Sequence, residues 1–345
     1  MSAMASVASA AVAESEDANT ADDAIQITTA TSDASAQELA TAIDDVSLSE
    51  AQVEAIRTDG FVIVDGFLGA ERAAALRREA VAFARSGRMP EHRFQFGSAQ
   101  LVKPHIFEAD LCDPSMQEEL PALSALYIQD QLAERFAESL PELGLGAGVD
   151  ARSIKLQHNS GSGGCFPLHY DNAGRPSRRA ITCVVYLNPD WREGDGGELV
   201  LCPFLRPRVL VQPLMDRAAI FRSDRVLHRV RPASVERFCF TVWLDSASTN
   251  SDSDCNLTAR SLATDEDAIH RLAGSPLQRA VSRAVYADDY EESLVECLQG
   301  TTGCAELVAE HRAHVSRQLA HPQLGPFVEH LRLLRSRLGA GEATG

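Results

Sequence analysis

With 345 residues, 45% of them hydrophobic and 23% charged, the chain has the composition of a globular protein able to bury a large core. Nothing in it approaches the roughly 20 apolar residues of a membrane span, and no basic stripe marks a nucleic-acid binder. The net charge of −17 is uneven: residues 1–50 hold ten acids and no Lys or Arg, which leaves −17 − (−10) = −7 for residues 51–345.

Residues 1–45 are rich in Ala, Ser, Thr and acids and contain no aromatic side chain. They offer too little apolar surface to offset ordering, so a disordered acidic tail is expected. The first residues lack the basic and strongly apolar regions of a secretory signal, and they are not the Arg-rich, acid-poor segment of a transit peptide. Ser49 is placed to cap a short helix running through Ile56. Residues 60–68, β-branched and bounded by glycines, read as a strand, and an Ala/Arg/Leu-rich helix follows over 70–86. The polar stretch 87–105, with Phe94 and Phe96, reads as a loop beside a site, and helix resumes over 115–139.

From Arg152 to Asp245 the character changes. Short apolar runs (ITCVVYLN, GELVLCP, RVLVQP, AAIFRS, FCFTVWLD) recur every 10 to 20 residues between Gly, Pro, Asp and Asn. That pattern predicts an all-β sandwich or barrel, since no room remains for the crossover helices of a parallel sheet. A Ser/Asn/Asp linker then leads into about 80 residues of helical periodicity, with Leu277, Val281, Val285, Val308, Val315, Leu319, Phe327, Leu331 and Leu334 at helical spacing. None of the eight cysteines forms a C-x-x-C pair. Cys183, Cys202 and Cys239 sit in strand-like apolar runs and read as buried hydrophobes rather than a disulfide framework, which favours a reducing compartment, cytoplasmic or nuclear.

Three features carry chemistry. Leu168-His169-Tyr170-Asp171 is the single H-x-D, and residues i and i+2 of a strand project from one face, so an imidazole and a carboxylate can meet one ion. A surface His and Asp beside a turn would read the same. His228, 57 residues beyond Asp171, supplies a second imidazole, and two His with one carboxylate form the facial triad of non-haem Fe(II) oxygenases. Nine residues on, Arg237 opens the apolar run RFCFTVWLD, which holds no acid before Asp245. A permanent charge at the mouth of so apolar a strand needs an anion: either a carboxylate elsewhere in the protein or a dicarboxylic ligand gripped by its planar fork.

The order HYD, AITCVVYLN, DW, GG, ELVLCP, SDRVLHRVRP, ERFCFTVWLD, with the entry segment DGFVIVDGFLGAERAAALRREA, resembles the prolyl 4-hydroxylase-like 2-oxoglutarate/Fe(II) dioxygenases, in particular the branch of the hypoxia-inducible-factor prolyl hydroxylases. The resemblance implies an α+β fold: a double-stranded β-helix (jelly roll) core over about 152–245, flanked by helices in a domain spanning 48–247. A helical C-terminal region, 258–340, falls outside the resemblance. The resemblance also implies His169, Asp171 and His228 as iron ligands, and Arg237 and Tyr186 on the distal carboxylate of 2-oxoglutarate, with Thr241 and Trp243 lining its pocket. Asn159 departs from the pattern, since the branch has a tyrosine ten residues before the first iron-binding His. The implied activity is hydroxylation of a substrate C–H bond, on a protein (prolyl) side chain or a small metabolite, with ascorbate as reductant. No nucleic-acid or membrane partner is expected, and the C-terminal helices pack on the barrel or form a homodimer. The competing class is a catalytically silent metal-binding module. His158, His270, His311, His314 and His330 read as surface or packing residues.

Overall fold

The computed structural model describes residues 47–96, 99–247 and 257–340. The acidic tail expected over 1–45 and residues 248–256 of the linker lie outside the described residues.

Four layers stack along the molecule. The first is helical: α1 (Glu50–Thr58), α2 (Ala70–Arg85), α3 (Pro114–Glu119), α4 (Pro121–Ile128) and α5 (Gln131–Ser139). Ser49 caps α1 as expected, its hydroxyl accepting from Gln52 N–H while the Gln52 side chain returns a bond to the Ser49 backbone. The helical stretch expected over 115–139 is three helices: Pro121, lacking an N–H, opens α4 rather than continuing α3, and the extended Gln129 separates α4 from α5.

The second and third layers are the antiparallel sheets of the jelly roll. The strands are β1 (Phe61–Asp65), β2 (Glu91–Phe96), β3 (Ala99–Asp110), β4 (Arg152–Asn159), β5 (Phe166–His169), β6 (Arg179–Tyr186), β7 (Leu199–Cys202), β8 (Val209–Val211), β9 (Arg217–Arg222), β10 (Leu227–Val230) and β11 (Arg237–Asp245). The large sheet runs β1-β9-β6-β11-β4-β3-β2 and the small one β5-β10-β7-β8. Alternation along β6 and β11 sorts side chains into layers. Ile181, Cys183, Val185, Phe238, Phe240, Val242 and Leu244 pack on the helical layer with Leu76, Phe83 and Phe136. Val184, Tyr186 and Cys239 point the other way, between the sheets, with Leu199, Phe221 and Val230.

The fourth layer is the C-terminal region: α6 (Glu266–Ala273), α7 (Arg279–Val285), α8 (Ala287–Leu298), α9 (Cys304–Ala320) and α10 (Leu324–Ala340). Leu272, Val281, Val285, Phe327 and Leu331 bury themselves against Leu168, Val200, Cys202 and Leu227 on the outer face of the small sheet. These side chains are therefore buried within the chain, while Val295 and Leu333 of the same helical layer are exposed. No helix among the described residues is long and apolar enough to cross a membrane.

Two expectations change. Within the stretch read as a loop, residues 91–96 and 99–105 are β2 and most of β3, antiparallel strands that join the large sheet through pairs such as Glu108↔Gln157 and Asp110↔Lys155. The stretch reads as a loop in the sequence because its strands carry polar side chains, here spent on one another: Glu108 accepts from His92 (3.1 Å), Lys155 (2.7 Å) and Gln157 (3.1 Å). Cys183, Cys202 and Cys239 are buried free thiols as read, but Cys165 and Cys297, 132 residues apart, are disulfide-bonded.

Candidate metal centre and cosubstrate cavity

The jelly roll puts the two histidines directly opposite one another, since the β5–β10 register pairs His169 with His228. Asp171 follows two residues after His169 on the same face. Nε2 of His169 lies 3.4 Å and Nε2 of His228 3.7 Å from Asp171 Oδ1, and the three ligand atoms fall within 4.8 Å of one another. That spacing lets one ion sit between all three.

Their other polar atoms are already committed. His169 Nδ1 is 2.8 Å from the Pro167 carbonyl and His228 Nδ1 3.1 Å from the Val226 carbonyl, which fixes the protons on Nδ1 and leaves both Nε2 lone pairs facing Asp171. Asp171 Oδ2 accepts from Thr182 Oγ1 (2.7 Å) and Trp243 Nε1 (2.9 Å), so Oδ1 is the oxygen left for a cation. Burial, then the neighbouring His169, pushes His228 down to about 4, and the ring is a neutral ligand at neutral pH. Burial opposes the charge on Asp171, but His228, His169 and the Trp243 bond outweigh it and hold the carboxyl below the ordinary range. The donor set, two imidazoles and one carboxylate on one side of the site, suits an octahedral Fe(II) that keeps positions open.

A cavity of about 290 Å³ opens from this triad, lined by Tyr186, Arg237, Thr241 and Trp243 together with Lys103 and Arg179. Arg237 is only 3% exposed, and no carboxylate pairs with it among the described residues. Its Nη1 meets only the Cys239 sulfur at 3.2 Å, and its Nε has no partner. The Tyr186 hydroxyl, on a ring 5.1 Å from the Arg237 guanidinium carbon, is buried with only that guanidinium beside it and has no well-formed hydrogen bond. Orphaned donors of this kind are costly in a native interior. A carboxylate between them would satisfy both, so the residues fit a dicarboxylic cosubstrate. Room for the Arg237 stem comes from Gly197: at its φ of +77° a Cβ would lie 2.8 Å from Arg237 Cδ.

The sequence-predicted residues thus converge on one cavity, with two refinements. Trp243 does more than line it, since its indole N–H holds Asp171. Asn159 points away: its side chain donates to the Gly164 carbonyl (2.6 Å) and accepts from Gly161 N–H (3.1 Å), pinning the turn before β5. Replacing Trp243 with Phe keeps the ring and removes the bond to Asp171, so metal affinity should fall about 10–100-fold, as for other partners behind a ligand. Titration of Mn(II) into wild-type and variant protein checks this.

Three residues escaped the sequence reading. Thr182 shares the cavity face of β6 with Val184 and Tyr186, a signal that alternation carried. Arg179 stacks its guanidinium 4.2 Å from the Trp243 ring. Lys103, in the stretch read as a loop, is 7% exposed with its ammonium 3.5 Å from the Phe166 ring centre, and it makes no hydrogen bond or ion pair among the described residues. Burial pushes it down to about 7. Because its folded value lies below the unfolded one, the unfolded chain binds the extra proton between about pH 7 and 10.5, and the native state gains stability as pH rises through that window. Lys103→Met should therefore stabilise the protein by a few kcal/mol at pH 6, roughly the cost of a buried unpaired charge, and by much less at pH 10. Thermal melts of both proteins across pH provide the check.

The 2OG-Fe(II) oxygenase superfamily model matches residues 154–245. Over 86 residues, 24% of this chain, the sequence is 37% identical to Egl nine homolog 1 of Homo sapiens and 38% identical to Prolyl hydroxylase EGLN3 of Mus musculus. The matched stretch spans only 20% and 36% of those proteins. The likeness to a crystal structure of prolyl 4-hydroxylases from Phytophthora capsici is broader: 38% identity over 88% of this chain and 95% of that one, with a TM-score of 0.74. That coverage extends beyond the oxygenase segment into the helical regions. With triad, cavity and whole-chain likeness in agreement, the chain belongs to the 2OG-Fe(II) oxygenase superfamily, as a prolyl hydroxylase-like member.

Proposed function

We propose that this chain is a dioxygenase that couples oxidative decarboxylation of 2-oxoglutarate to hydroxylation of a prolyl side chain in a protein: 2-oxoglutarate, O₂ and R–H give succinate, CO₂ and R–OH. The observation that carries the reading is the cavity with a metal triad at one end and the partnerless Arg237–Tyr186 pair at the other. In the proposal His169, Asp171 and His228 hold Fe(II), which supplies the activation of O₂. The Arg237 fork and the Tyr186 hydroxyl take the distal carboxylate, fixing the cosubstrate's orientation by a bidentate, charge-assisted contact. Thr241 lines the cavity between the two ends, and the apolar inter-sheet packing around Leu199 and Val230 excludes water from the reacting centre.

The catalytic unit in this proposal is residues 48–247, with 258–340 as a helical adjunct. Ascorbate is the proposed reductant, and the cytoplasm or nucleus the proposed compartment. The free thiols of Cys112, Cys183, Cys202, Cys239 and Cys304 favour that compartment, and the bonded Cys165–Cys297 pair weighs against it. A small-metabolite hydroxylase would use the same machinery. A silent metal module would not, because a structural metal gives no reason to bury an unpaired arginine. Succinate release from 2-oxoglutarate with Fe(II), with and without proline-containing peptides, tests the proposal. Decarboxylation stimulated by a peptide, with hydroxyproline in the product, supports it, and no 2-oxoglutarate turnover under any condition overturns it.

A further inference from the structure

β5 carries the first metal-ligating residue of the triad and is poorly held by its own sheet. It is four residues long, it lies at an edge of the small sheet, and its pairing with β10 slips between His228 and Val230. Strands this short contribute few ladder bonds, so the position of His169 needs another anchor.

The anchors come from the C-terminal helices. His169 and Asp171 line the cavity, while Leu168 and Tyr170 pack among the C-terminal helices. Leu168 N–H donates to Ser293 Oγ on α8 (3.0 Å). The Tyr170 hydroxyl meets Ser282 Oγ on α7 (2.7 Å) and donates to Gln278 Oε1 (3.3 Å). Arg279 Nη1 donates to the Asn172 carbonyl (2.9 Å), and Cys165 just ahead of β5 is bonded to Cys297 of α8. Around His228 the pattern repeats: Leu227 packs among the same helices, and Arg229 pairs with Glu296 of α8.

We propose that α7 and α8 form the back plate of the metal centre, with Ser282, Ser293 and the preceding Gln278 as positioning residues that set His169 through Leu168 and Tyr170. This rests on reading His169, Asp171 and His228 as metal ligands. A cover for the apolar face of the small sheet would need no polar groups. Ser282, Ser293 and Gln278 are all fully or almost fully buried, and buried polar groups are costly unless bonded. Ser282 and Ser293 bond the ligand-bearing segment and the turn of chain just before them, and Gln278 bonds Tyr170 and the Ala273 carbonyl at the end of α6.

The test titrates Co(II), followed by its visible absorption bands, into full-length wild type, Tyr170→Phe and Ser293→Ala. Arg312→Gln serves as a control, because it breaks an exposed pair between Arg312 of α9 and Glu291 of α8 that does not reach β5. Tyr170→Phe and Ser293→Ala should bind Co(II) about tenfold or more weakly and show altered bands, while Arg312→Gln matches wild type. Lowered melting temperatures with wild-type Co(II) affinity and bands would overturn the proposal, reducing the helices to a structural cover. Absence of any Co(II) spectrum in wild type would instead sink the metal-site reading itself.

Discussion

Arg237→Ala should bind 2-oxoglutarate roughly 10²-fold or more weakly than wild type in the Mn(II)-loaded, anaerobic protein, and should bind Mn(II) equally well. Removing one partner of a buried charge pair costs about 3–5 kcal/mol, and about 1.4 kcal/mol is a factor of ten. Arg237→Lys should fall between, because an ammonium keeps the charge and loses the planar fork. The ligand-free protein should not be destabilised by Arg237→Ala, since without an anion the guanidinium is a buried charge with a partnerless Nε. Isothermal titration and thermal melting read both quantities. Wild-type affinity in Arg237→Ala would detach the arginine from the cosubstrate and leave that assignment to family likeness.

His228→Ala should lose metal retention and 2-oxoglutarate turnover together. Two remaining protein ligands hold Fe(II) poorly against water, and the paired position on β5 would face an alanine. The substitution has a second signature in the metal-free protein. His228 is pushed down to about 4, below its unfolded value of 6.5, so the unfolded chain binds the extra proton in that interval. Wild type should lose stability as pH falls from 6.5 to 4, and His228→Ala should flatten that part of the profile. Turnover at the wild-type rate in His228→Ala would remove it from the ligand set.

Much of this centre was legible in the sequence because strand alternation is a rigid rule: once FCFTVWLD is a strand, Arg237, Cys239, Thr241 and Trp243 must share a face. The H-x-D pair was legible as two side chains on one strand face, although β5 ends at His169 and Asp171 follows just beyond it, and the late histidine because a jelly roll brings distant strands together. The pairing of β2 with β3 was not legible, because polar residues normally mark loops, and only the tertiary pairing of Glu108 with His92 and Lys155 gives them a reason to lie in strands. Lys103 was hidden with it. The C-terminal helices were readable as helices but not as neighbours of the metal centre, since amphipathic periodicity says that a face is buried and not against what. Asn159 looked like a gap in the cosubstrate pocket and is instead the peg of a turn, a distinction that needs coordinates.

Gly197 carries a consequence at the level of the organism. Any side chain there meets the Arg237 stem and strains a left-handed backbone, so an allele at this position would displace the arginine although residue 197 does not itself line the cavity. Such an allele would behave as a Michaelis-constant mutant: nearly silent where 2-oxoglutarate is abundant and defective when the metabolite runs low. A defect rescued by feeding a 2-oxoglutarate precursor would therefore group residue 197 with alleles at the arginine some forty positions on, and would separate both from alleles at the metal ligands, which no precursor could restore.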